Sequence, residues 1–192
     1  MSIYTTPLQI GYFFSLLMWI VFMIRGYREQ RLSDKLLGWI MLILALELQD
    51  YTFGFAGINV LWEELKGFPR SVRLLFGPLI YLYFRAQVNR SFKITSYKLL
   101  HFTPWLVVFL VNIIVFLQGS AAVDTFQSTS YYLVLIYVER IAVMVSIIYY
   151  LSKSIQIYRR YRRWSLDQFS NQEMIDFTWF RNFLYAMTFW LL

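Results

Sequence analysis

Five side chains able to carry charge or strong hydrogen bonds stand out among those that fall inside apolar stretches of this chain. Such groups are costly in a membrane and are therefore candidates for function. They are Glu47 and Asp50, then Asn112, then Glu139 and Arg140. Glu47 and Asp50 are three residues apart, so on a helix they share a face. A pocket lined by Glu47, Asp50 and Glu139, with Arg140 as counter-charge, suits a polar or cationic ligand. It suits a proton-sensitive switch equally well. The same residues also suit an architectural network that fixes helix register, because buried polar groups need partners in either case. Asp50 has a further option, a place in water near the outer end of its helix.

Other chemistries are excluded by what is missing. The sequence has no Cys, so it forms no disulfide, thiol nucleophile or thiolate metal site. One His rules out a histidine-rich metal site. There is no Gly-rich phosphate loop, no G-x-S-x-G and no H-E-x-x-H. An intramembrane aspartyl pair needs two facing Asp, and only Asp50 lies in an apolar segment. No catalytic residue, metal or cofactor is expected, and the chain reads as non-enzymatic. His101 borders an apolar segment, where a lone His is usually an interfacial hydrogen-bonding residue. Arg159, Arg160, Arg162 and Arg163 interleave with Tyr158, Tyr161 and Trp164. That pattern can suit single-stranded nucleic acid, but beside an apolar segment it fits anionic headgroups better.

The elements that must hold these residues are six long apolar segments. They run from about Leu8 to Ile24, Leu36 to Phe55, Val72 to Ala86, Leu99 to Leu117 and Tyr131 to Leu151, with a sixth from about Phe177. Hydrophobic residues make up 59% of the 192 and charged residues only 15%. A soluble domain is usually about a quarter charged, and a span needs roughly 20 apolar residues. The expected fold is all-α, a polytopic transmembrane helix bundle occupying 1–192 as one domain, with the bilayer as its main partner. Gly77-Pro78 inside the third segment predicts a kink, either a hinge or a static bend. Pro104 falls in the first turn of the fourth, where helices tolerate it. Trp39, Trp62, Trp105, Trp164 and Trp179 sit near segment ends, as in an aromatic belt.

Charge sets the expected orientation. The net charge is +7. Thirteen basic residues fall in three loops, around Arg25–Lys35, Arg85–Lys98 and Lys153–Arg163. All three lie on one side if the short third segment spans, and the positive-inside rule places that side in the cytoplasm. The expectation is a bacterial inner-membrane protein with its N-terminus outside. The first apolar run lacks the features of a cleaved signal and is read as a retained span. The sixth segment reaches Leu192 without a cap, which predicts a cut span and a seventh in the full protein. Ser170 and Glu173 fit a capping box, and Phe169 and Met174 a hydrophobic staple. With a basic helix from Lys153 to Trp164 continuing the fifth segment, they predict a stiff elbow under the membrane.

Three stretches carry a resemblance: Leu75-Phe76-Gly77-Pro78-Leu79-Ile80-Tyr81-Leu82-Tyr83, Leu100-His101-Phe102-Thr103-Pro104, and Phe169-Ser170 through Glu173 to Trp179-Phe180-Arg181-Asn182. Together and in this order they resemble the N-terminal membrane domain of membrane-bound AraC-family transcriptional regulators. The resemblance implies a sensor domain ahead of a cytoplasmic helix-turn-helix domain. That domain is absent here, so DNA would be a partner only through it. It also implies an unidentified small-molecule or membrane signal, and a homodimer is compatible with such regulators. Similar membrane domains precede LytTR-type DNA-binding domains and histidine kinases. Two rivals stand outside the resemblance. A small transporter would show repeated halves and a broken midplane helix. A lipid-acting membrane enzyme would show acidic or His clusters at one interface.

Overall fold

The computed structural model describes residues 5–54, 68–69 and 71–168. All regular structure among them is helical. Helix α1 (Thr5–Arg28) and α2 (Leu32–Gly54) form a hairpin. A 3-10 turn (Arg73–Leu75) leads into α3 (Phe76–Val88). The short α4 (Ser96–Leu99) and a second 3-10 turn (Leu100–Phe102) lead into α5 (Thr103–Leu117). A short α6 (Ser120–Ser128) precedes the long α7 (Ser130–Gln168). The sixth apolar segment and the Ser170–Glu173 cap lie outside the described residues.

The α1–α2 hairpin closes through local backbone chemistry. Gln30 adopts φ 53°, and the Arg31 N–H reaches back five residues to the Gly26 carbonyl at 3.1 Å. That is a Schellman-type ending with a left-handed residue after the helix. Gln30 also donates from its side-chain amide to the Tyr27 carbonyl at 3.0 Å. Asp34 opens α2 and is buried. Arg25 grips both its oxygens, from Nε at 2.8 Å and from Nη2 at 2.7 Å. This two-pronged pairing is the strongest form of side-chain ion pair. The helices then run close together on small residues. Ser15 is buried, and a Cβ on Gly26 would come within 2.7 Å of the Lys35 side chain. A Cβ on Gly38 would meet Met23 at 3.0 Å. Small residues at a helix interface are the usual device in membranes, where no hydrophobic force drives helices together.

Helix α3 is the core element. Phe76, Leu82 and Phe84 are essentially inaccessible. They cluster with Leu36, Ile40 and Ile43 of α2 on one side, and Leu151, Ile155 and Tyr158 of α7 pack against the same cluster. By contrast, no side chain of α5 is buried, and α1 and α7 expose rows of large apolar residues such as Phe13, Leu17 and Ile20, or Val134, Val138 and Ile141. A soluble protein cannot leave so much apolar surface in water. Three helical stretches are long and apolar enough to cross a bilayer: Pro7–Arg28, Ser96–Leu117 and Ser130–Arg163. They match the first, fourth and fifth segments read from the sequence. The described residues therefore support an all-helical, membrane-associated bundle with three candidate spans, fewer than the six expected. The third segment has only 13 α-helical residues, about 20 Å of helix against the ~30 Å of a hydrocarbon core.

Gly77 and Pro78 occupy the second and third positions of α3 rather than its middle. In a first turn the missing proline N–H has no helical acceptor to lose. Gly77 has a different task. A Cβ there would lie 2.8 Å from Ser146 Oγ, 2.9 Å from Tyr150 Cδ2 and 3.2 Å from the Ser146 carbonyl. The backbone carbonyl cannot rotate away, so Gly77→Ala must push α3 off α7. Overpacking of this kind costs about 1–3 kcal/mol. Thermal unfolding of the purified protein in detergent is expected to fall for Gly77→Ala and further for Gly77→Val. An unchanged midpoint would show that the two helices are not in close contact there.

Candidate functional site

The polar residues converge on the segment that begins α3. Glu47, near the end of α2, has a side chain only 13% exposed. It accepts from Arg73 Nε at 2.7 Å and from the Val72 backbone N–H at 3.3 Å. Ser71 Oγ donates to the Glu139 carboxylate of α7. Trp105 of α5 donates from Nε1 to the Ser71 carbonyl at 3.1 Å. Three helices thus fasten one three-residue stretch. The reason is local: residues 71 and 72 lie before the regular turns, so the Ser71 carbonyl and the Val72 N–H lack helical partners and find side chains.

Of the five residues proposed from the sequence, Glu47 and Glu139 meet here. Arg140 does not act as their counter-charge. It is exposed on α7, and Arg73 pairs with Glu47 instead. On a helix, adjacent residues point about 100° apart, so Glu139 and Arg140 cannot both face the bundle. Asn112 also stays out: its Nδ2 donates to the Val108 carbonyl of its own helix at 2.9 Å. Asp50 lies on α2, but its side chain is outside the described part. Ser71, Arg73 and Trp105 were not singled out as site residues by sequence reasoning. Arg73 is the second residue of the third apolar segment, and at a segment edge a basic residue reads as a loop charge. Trp105 reads as belt, yet its indole N–H supplies a hydrogen bond to the site.

A second cluster lies nearer the basic end. His101 Nδ1 and the Tyr150 hydroxyl share a hydrogen bond at 2.8 Å. Tyr81 packs edge-on against His101, with centroids 5.9 Å apart, and accepts from Arg85 at 3.3 Å. His101 is thus the hydrogen-bonding residue its position suggested, and its specific role is to fasten the start of α5 to α7. Among the described residues no three His, Asp or Glu side chains are placed to hold a metal ion. Arg159, Arg160, Arg162 and Arg163 are exposed on α7, which continues unbroken through the basic run as the sequence predicts.

No protein-family model matches this chain, and no curated protein or solved structure matches it. The site is therefore interpreted from its own geometry. The Glu47–Arg73 pair joins a mostly buried carboxylate to a half-exposed guanidinium. Removing one partner from such a pair leaves the other uncompensated. In a double-mutant cycle, Glu47→Gln and Arg73→Gln are each expected to destabilise the detergent-solubilised protein. The double variant should lose less than the sum, by a coupling of about 0.5–1 kcal/mol, because solvent screens the half-exposed guanidinium. Simple additivity would show that the pair does not operate.

Proposed function

We propose that the chain is the sensory and anchoring membrane domain of a bacterial one-component transcriptional regulator. Its output would be a cytoplasmic helix-turn-helix domain encoded beyond Leu192. The resemblance of the Leu75–Tyr83, Leu100–Pro104 and Phe169–Asn182 stretches to membrane-bound AraC-family regulators supports the class of protein. The geometric support is the convergence of α2, α5 and α7 on Ser71–Arg73. A change of charge or ligand at that stretch alters three helix contacts together. Helix α7 then runs unbroken from Glu139 to Gln168, about 44 Å of helix, so a shift at the site reaches the basic end as a rigid-body movement. A ligand acts on such a device only by binding two packings with different affinity. The same membrane unit would serve a LytTR-type or histidine-kinase output equally well. A permease reading finds less support, because Gly77-Pro78 falls in a first turn rather than at a midplane break.

The proposed topology has the N-terminus outside and six spans in this chain, the third crossing although its helix is shorter than an ordinary span, with the basic loops in the cytoplasm of an inner-membrane protein. Its support is the distribution of Lys and Arg. The chain has no Cys, so single introduced thiols report cleanly. A membrane-impermeant thiol reagent added to intact spheroplasts is expected to label Gln127→Cys and to spare Lys93→Cys until the cells are lysed. The reverse pattern would overturn the orientation.

The regulator reading is tested in the coding sequence past Leu192, where one further span and then a helix-turn-helix domain are expected. Further spans alone would favour a permease. Transcript profiling of cells carrying the full-length gene supplies the functional check. Ser71→Ala and Glu139→Gln are expected to shift the profile towards that of a deletion or a locked-on state, at unchanged membrane abundance. Arg140→Leu is expected to leave it unchanged. Unaltered profiles for all three would remove the switch.

A further inference from the structure

We propose that the groove between the C-terminal end of α3 and the extension of α7 is a seat for one anionic phospholipid, with its phosphate on Arg160. This inference requires α7 to cross the membrane and does not depend on the nature of any output domain.

The groove has a volume of about 380 Å³ and is lined by Val88, Ile157, Arg160 and Tyr161. Its chemistry is divided. Val88 and Ile157 supply an apolar wall, Arg160 supplies a cation, and among the described residues no carboxylate lines it. That division matches a phospholipid at its glycerol region, where acyl chain meets phosphate. The helix register separates Arg160 from its neighbours. At about 100° per residue, Ile157, Arg160 and Tyr161 share one side of α7, while Arg159, Arg162 and Arg163 share the other. The four arginines are therefore not equivalent. Three face away from the groove and one borders it. Among the described residues Arg160 has no ion-pair partner, unlike Arg25 and Arg73.

Depth is consistent with this occupant. Arg160 lies nine residues past Leu151, the end of the fifth apolar segment, about 13 Å along the helix axis. An arginine side chain extends back several ångströms towards the headgroup layer, and helix tilt shortens the remaining distance. Tyr161 beside it has the amphipathic ring favoured at that level. The backbone works in the opposite direction. Helix α3 ends at Val88, and the carbonyl end of a helix repels an anion. The attraction must then come from the basic side chains, which makes the site sensitive to one residue. A diffuse cloud of juxtamembrane arginines would instead lose a similar share of its attraction with each charge removed.

The test is native mass spectrometry of the whole chain, extracted in mild detergent and titrated with phosphatidylglycerol or with phosphatidylcholine of equal chain length. One phosphatidylglycerol is expected to remain per chain at collision energies that strip phosphatidylcholine. Arg160→Gln should weaken that retention by about tenfold, the value of one charge-assisted contact. Ile157→Asp should weaken it as well, whereas Arg159→Gln and the Arg162→Gln, Arg163→Gln pair should preserve it. Circular dichroism of each variant separates loss of the seat from loss of the fold. Three results would overturn the proposal: no preference for phosphatidylglycerol, equal losses at Arg159 and Arg160, or displacement of the lipid by inorganic phosphate, which would mark a soluble-anion site instead.

Discussion

Helix α3 lies against α7 because residue 77 has no side chain. Any Cβ at that position would meet the Ser146 carbonyl and the Tyr150 ring below normal contact distance. The close approach places the start of α3 beside α7, and with it Ser71, Val72 and Arg73. Without it Ser71 would be out of reach of Glu139, and the core around Phe76, Leu82 and Phe84 would lose its α7 wall. The polar site and the apolar core therefore depend on one steric condition. Glycine is used here for proximity, since a side chain is what the contact cannot accommodate.

Charge is handled differently at the two ends of the bundle. Arg25 holds the buried Asp34 in the first turn of α2, where the helix N-terminus also favours an anion. Tyr83 of α3 lies within electrostatic reach of both. That pair closes a hairpin and joins residues nine apart in sequence. The Glu47–Arg73 pair joins elements 26 residues apart and opens onto a segment with a second carboxylate, Glu139. The first arrangement suits a fixed anchor. The second joins a half-exposed arginine to a mostly buried carboxylate, and Glu139 is held two residues away through Ser71, so a change of charge there bears on more than one helix.

The outer surface of the described bundle is more apolar than its contacts require. Helix α5 buries none of its side chains, and hydrogen bonds through His101 and Trp105 join its start to α7 and to Ser71. Lipid is the solvent in which such a helix is stable, because hydrocarbon neither penalises apolar exposure nor competes for hydrogen bonds. In that setting a few directional contacts decide where α5 sits. This explains why an aromatic residue at a span end, unremarkable in a belt, also carries a structural hydrogen bond.

Membrane character, helical class, the first-turn role of Pro104 and the basic continuation of the fifth apolar segment were legible in the amino-acid sequence. Each follows from composition or from periodicity within one helix, which need no partner to be read. Glu47 and Glu139 were legible for the same reason, as costly charges in apolar surroundings. The counter-charge of Glu47 was not. Arg140 is next to Glu139 in the chain, but helical geometry turns it outward, while Arg73 arrives from another element. Ser71 and Trp105 are ordinary residues in sequence and become site residues only because backbone groups at the start of α3 need partners. Gly77 reads as half of a kink and proves to be a contact surface. The sequence by itself determined which groups are too polar to face lipid. Only the tertiary structure decided which of them meet, because that depends on how closely α3 can approach α7 and on which side of each helix the approach occurs.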